Sequence, residues 1–205
     1  MKISPVKYNY FTPKFKANSS KENTVTILGS SKSTDSISKY LDMCSEVSKS
    51  IVLNGQNVLT GCGSGGIMGR AYYSAAQNST LDKVGKPNQN LAILVNPLWG
   101  DEDLENCQVI DTANSEAERI QKFIKTSDKF VIFPGGPATI QEASTLISSN
   151  HYSKNKKQVI LVGKDYFKGL DEQYKKLKES GLIKCETSEL YTIVDSADEI
   201  LNKIN

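Results

Sequence analysis

Residues 129–144 read KFVIFPGGPATIQEAS. Four apolar residues, Phe130 to Phe133, stop at Pro134, two glycines follow, and a helix-like pattern with Thr139 and Glu142 begins almost at once. A short apolar run bounded by Pro and Gly reads as a buried strand, and the following pattern as the helix it feeds. The same alternation extends in both directions. Upstream lie apolar runs at 24–29, 57–61, 91–97 and 107–111, separated by helical patterns at 34–55, 66–77 and 115–128. Downstream lie KQVILVG, 157–163, and LYTIV, 190–194, with helical patterns between and after them. Apolar strands alternating with helices predict an α/β fold, a doubly wound, mostly parallel Rossmann-like sheet with helices on both faces.

The chain has 205 residues, 38% hydrophobic and 23% charged, enough for one core. Residues 24–205 are expected to form that single domain. Residues 1–23 hold five lysines and one acid in a stretch rich in Asn, Ser and Tyr, and are expected to be a disordered tail. With a net charge of +2, no apolar run of about 20 residues and no secretion signal, the sequence points to a cytoplasmic protein with neither nucleic acid nor membrane as partner. Cys44, Cys62, Cys107 and Cys185 are scattered and suggest neither a disulfide framework nor a zinc site. They are expected to be buried thiols, and no metal is expected.

In a doubly wound sheet, ligands lie beyond the C-terminal ends of the strands. Three of the loops there are rich in Gly and Ser: GSSKS after the first strand, TGCGSGGIMGR after the second, and FPGGPAT after the fifth. Gly61, Gly63 and Gly66 satisfy G-x-G-x-x-G, but the next strand ends in Val95-Asn96-Pro97 with no acid for an adenine ribose, which argues against NAD. The absence of Gly-Lys-Ser/Thr excludes a P-loop. Two glycine loops opening onto helix N-termini can together hold one phosphate monoester, with Ser64 and Thr139 as hydroxyl donors.

Two side chains stand out beside these loops. The chain uses 23 lysines but only two arginines, Arg70 and Arg119, each near a candidate anion loop. A guanidinium offers a bidentate fork that lysine lacks, which marks both as candidates. The competing explanation for Arg119 is a surface pair with Glu116, and for Arg70 a solvated first-turn position. Glu142 has two explanations as well. Thr139-Ile140-Gln141-Glu142 fits a capping box, in which Thr139 caps the helix and Glu142 reaches back to the cap amide; alternatively the carboxylate does chemistry.

The two loops together resemble the paired motifs G-G-G-S-x-G-L-M-G and P-G-G-x-G-T-x-x-E of the LOG ("lonely guy") phosphoribohydrolases, often labelled lysine decarboxylases. The resemblance covers roughly residues 24–205. It implies a homodimer that needs no cofactor, metal or nicotinamide and cleaves the N-glycosidic bond of a nucleoside 5′-monophosphate such as AMP, releasing base and ribose 5-phosphate. By the same resemblance Arg119 and Glu142 are catalytic, Gly135, Gly136 and Thr139 hold the phosphate, and Gly63, Ser64 and Gly65 line the facing wall. The chain departs from the pattern at Cys62 and Ala138, where the motifs have glycine, so the turn at Ala138 is expected to be helical or strained. It departs again at Glu116, Ala117 and Ile120, which replace the Met, His and Lys of cytokinin-activating members, leaving the base open. An alternative on the same fold is a nucleotide-sensing module or a molybdopterin-type cofactor carrier that binds without cleaving. No lysine sits in a pattern that would hold pyridoxal phosphate.

Overall fold

In the computed structural model the described residues are 23–79, 89–96, 98, 100, 102, 104 and 107–205. The tail expected over residues 1–23 lies, apart from Asn23, outside them. Seven strands form one sheet: β1 (Thr24–Leu28), β2 (Asn57–Thr60), β3 (Asn90–Val95), β4 (Gln108–Ala113), β5 (Lys129–Ile132), β6 (Gln158–Val162) and β7 (Thr192–Val194). Their spatial order is β4-β3-β2-β1-β5-β6-β7, and every pairing is parallel. The helices are α1 (Ser38–Leu53), α2 (Gly66–Asn78), α3 (Glu116–Thr126), α4 (Pro137–Tyr152), α5 (Lys164–Glu179) and α6 (Ala197–Ile204).

Strand composition explains the layering. Because successive side chains alternate across a sheet, each central strand must be apolar on both faces if helices cover both. Val25, Ile27, Val131, Phe133, Ile160 and Val162 meet α1, α2 and α6 on one side. Leu28, Phe130, Ile132, Val159 and Leu161 meet α3, α4 and α5 on the other. At about 25 cal/mol per Å² of buried apolar surface, these two layers supply the main driving force for folding.

Local signals set the helix ends. Gly55, at φ +79°, follows the Asn54 cap of α1 and donates to Val52 O at 3.0 Å, a left-handed stop that costs glycine nothing. Ser115 caps α3 by accepting from Glu118 N, and Ser196 with Glu199 forms a full capping box on α6. The strand order reverses about β1, which lies between β2 and β5. That reversal leaves a crevice over the C-terminal ends of β2, β1 and β5, where the three glycine-rich loops converge.

Candidate active site at the switch point

The loops after β1 and β5 are joined directly: Ser30 N donates to Pro134 O at 3.1 Å. The loop after β2 packs just as tightly. Gly66 has φ +57°, and a Cβ there would meet Ser30 O and lie 2.8 Å from Lys32 N. A Cβ on Gly65 would strike Ser31 O. These glycines are therefore required for close approach of the β1 and β2 loops.

Of the two expectations for Ala138, helical or strained, the structure shows the helical one, and a strained turn lies at a different residue. Ala138 is the second residue of α4 and has no positive φ, consistent with the helical alternative that Pro137, at the first position, favours. Cys62, at the other glycine of the motif, is the non-glycine residue with positive φ, 64° among the described residues. A left-handed conformation costs an L-residue roughly 1–2 kcal/mol, and here Cys62 N donates to Thr60 Oγ1 at 3.1 Å, which holds the turn.

The capping box at Thr139 does not form. Gly136 is the N-cap of α4, Pro137 its first residue and Thr139 its third, with no side-chain cap bond. Glu142 is then one turn too deep to reach the cap. Thr139 is buried, its hydroxyl pressed against the space a side chain on Gly135 would need, whereas a Cβ on Gly136 would meet nothing within 4 Å. The helix thus starts with a positive end, no capping side chain and open space over Gly136, the arrangement an anion needs. Tyr166, from α5, reaches over this loop: its hydroxyl donates to Gly135 O, and Gly135 N donates to the tyrosine hydroxyl oxygen at 3.3 Å.

Arg119, on the first turns of α3, points into a cleft of about 50 Å³ lined also by Ser31, Gly61, Gly63, Met68, Val95, Glu102 and Glu116. A Cβ on Gly61 would lie 2.8 Å from Arg119 Nη1, so the guanidinium occupies the place of the missing side chain. Arg119 Nη2 is 2.6 Å from Glu116 Oε2 and 3.9 Å from Glu142 Oε1. The expected pair with Glu116 does form, but it is not a surface pair: the arginine side chain is 14% exposed and its Nε is buried without a hydrogen-bond partner among the described residues. Glu142 is similarly enclosed. Burial pushes its carboxyl up to about 7, Arg119 pulls it down and Glu116 adds to the rise.

The fold therefore brings Arg119, Glu142 and Gly63 to one region at the switch point. It turns Ser64 and Gly65 toward another. They line an open groove of about 570 Å³ together with Ser33, Gly66, Tyr73 and the exposed Arg70. Glu102, Glu116 and Tyr166 were not singled out as site residues from sequence. Glu116 lay in plain view three residues before Arg119, but Glu102 and Tyr166 reach the site from distant segments. Among the described residues no three His, Cys, Asp or Glu side chains are grouped as a metal site would require, and no helix is long and apolar enough to cross a membrane.

Fold and cleft together define a Rossmann-like domain with a cleft at its topological switch point. The chain belongs to the family described as "Possible lysine decarboxylase", which it matches over residues 60–204, the LOG-type family its glycine motifs resemble. A curated relative, 27% identical over 160 residues, is the "Probable cytokinin riboside 5′-monophosphate phosphoribohydrolase LOG4" of Oryza sativa subsp. japonica; the match spans 78% of this chain and 66% of that protein, just short of two thirds of its length. Among solved structures, the molybdenum cofactor carrier protein of Chlamydomonas reinhardtii superposes with a TM-score of 0.60 at 17% identity, covering 88% of this chain and 94% of that one. The molybdenum cofactor binding protein of Rippkaea orientalis gives 0.58 at 19% identity over 88% and 93%. These two likenesses establish the shared fold.

Proposed function

We propose that the protein is a phosphoribohydrolase that cleaves the N-glycosidic bond of a purine nucleoside 5′-monophosphate, giving free base and ribose 5-phosphate. The observation that carries this is the approach of Arg119 to the buried Glu142, 3.9 Å apart, beside an uncapped helix N-terminus. Departure of a base leaves an oxocarbenium-like sugar, which an ionised carboxylate in a poorly solvated site stabilises strongly. In this proposal Gly135, Gly136 and Thr139 bind the phosphate at the start of α4, Glu142 faces the ribose, and Arg119 orients the nucleotide and assists the leaving base. Gly63 lines the opposite wall. Ser64 and Gly65 support the loop from its far side. The homodimer and the absence of a cofactor implied by the family, and the cytoplasmic location expected from the sequence, belong to the same proposal. Decarboxylation of lysine has no comparable support: no lysine lines the cleft among the described residues.

A second reading is favoured by the 2.6 Å pair of Arg119 with Glu116, which already neutralises the arginine before any ligand arrives. On that reading the protein binds a nucleotide or pterin-type cofactor and releases it intact. Incubation with AMP and with adenosine, followed by chromatography of released adenine, separates the two. Rapid release from AMP and slow release from adenosine is the expected result. Equal rates on both would remove the phosphate loops from the mechanism, and AMP binding without adenine release would favour the carrier.

A further inference from the structure

We propose that Cys62 and Cys107 form a reversible disulfide that ties the glycine loop after β2 to the segment entering β4. The two residues are 45 positions apart, yet their sulfurs lie 2.9 Å from each other, and neither is in a disulfide. Closing that gap to a bond of about 2.05 Å needs less than about 1 Å of movement, provided the chain can supply the dihedral the bond prefers. The backbone is already joined at the same place by an isolated antiparallel bridge between Gly63 and Glu102. Gly61, Gly63 and Glu102 all line the cleft that holds Arg119, so a covalent link beside them fixes one wall of that cleft to the other.

Accessibility sets the order of events. Cys62 is fully buried, whereas Cys107 is half-buried. The Cys107 thiolate attacks a low-molecular-weight disulfide, R–S–S–R, forming a mixed disulfide and expelling one RS⁻. The Cys62 thiolate then attacks the Cys107 sulfur and expels the second RS⁻. The two protein thiols lose two protons and two electrons in total, and the small disulfide gains both as two molecules of RSH. A thiol reductant runs the sequence backwards. In reducing compartments, disulfides formed by such thiols are usually transient and catalytic or redox-sensing rather than permanent cross-links. Cys44 and Cys185 are not partners in this chemistry: Cys44 is enclosed beneath α2, its thiol pushed up to about 12 by burial, and Cys185 lies against His151.

The test uses the full chain and oxidised glutathione. Intact mass, non-reducing peptide mapping and thermal unfolding are read before and after treatment and again after reduction. The expected result is a product lighter by two hydrogens, a peptide linking Cys62 to Cys107, a rise in Tm of about 5 °C or more from the cross-linked unfolded chain, and reversal of all three by reductant. Cys107→Ser should fold with the Tm of the reduced protein and show neither the linked peptide nor the rise. Persistently free thiols, or glutathione retained on Cys107 without a linked peptide, would overturn the proposal. So would an unchanged shift in the Cys107→Ser variant.

Discussion

Glu142→Gln removes the charge of the buried carboxylate while keeping its shape, and its effect on stability can be worked out from the structure. Burial raises the folded-state pKa from 4.5 to about 7. The folded protein therefore binds the proton more tightly than the unfolded chain between those values, and its stability falls as pH rises through that window. The contribution is fully present below the unfolded value and lost above the folded one. A rise from 4.5 to about 7 corresponds to about 3 kcal/mol, an upper bound because glutamine must also find partners for its amide. Arg119 keeps its closer partner, Glu116. The variant should unfold close to wild type at about pH 5 and about 3–10 °C higher at about pH 9, with the gain appearing across pH ~7. Thermal unfolding of both proteins across that range is the assay. A Tm difference independent of pH, or a variant less stable than wild type at the alkaline end, would mean that Glu142 is not held as an unfavourable buried charge. Turnover should change in the opposite sense: loss of at least about a hundredfold on AMP, about 2.7 kcal/mol of transition-state stabilisation. If the ionised form is the working one, wild-type kcat/KM should rise with pH to a plateau above about 7.

Arg119→Lys should lose at least about tenfold in kcat/KM on AMP, because an ammonium lacks the planar, bidentate fork with which a guanidinium orients a ligand; an active lysine variant would reduce Arg119 to the partner of Glu116. Gly61→Ala should lower activity while changing stability by no more than about 1 kcal/mol, since its Cβ would meet the movable end of Arg119 rather than backbone. Unchanged kinetics would show that the arginine's position is unimportant. Gly66→Ala, by contrast, combines φ +57° with collision against the backbone of Ser30 and Lys32, and should cost about 2 kcal/mol or more by chemical denaturation. A neutral alanine variant there would mean that the two loops are free to separate.

The strands and the doubly wound, parallel class of the sheet were legible because each central strand is apolar on both faces and ends in Gly, Pro or Ser; the order of the strands in the sheet was not. Boundaries tied to a single side chain were less so. Thr139 mimics a cap because Thr-x-x-Glu is a genuine capping pattern, but Gly136 caps α4 three residues earlier, and a glycine cap carries no side-chain signal. α1 begins at Ser38 rather than near Thr34 because a 3-10 turn, Asp35–Ile37, precedes it. The motif glycine replaced by Ala138 stands in a helix, and the one replaced by Cys62 in a left-handed turn, a distinction set by loop packing and not by the local sequence. Contacts across the fold were invisible for the same reason. Nothing around Tyr166 marks it as reaching Gly135, nothing in the spacing of Cys62 and Cys107 marks them as neighbours, and the direction in which Ser64 turns depends on how its loop meets β1.

The placement of Glu116 and Arg119 on one turn of α3 has a consequence for how such a protein can change its ligand. The phosphate end of the proposed site is built from loop backbone at the ends of strands buried on both faces, and any alteration there disturbs the sheet. The cleft end is furnished by side chains on a helix whose outer face is polar and tolerant of substitution. Preference can therefore drift by exchanging one turn of α3, leaving the foundation of the domain untouched, so a single scaffold can supply a lineage of proteins that grip the same phosphate and differ in what is attached to it.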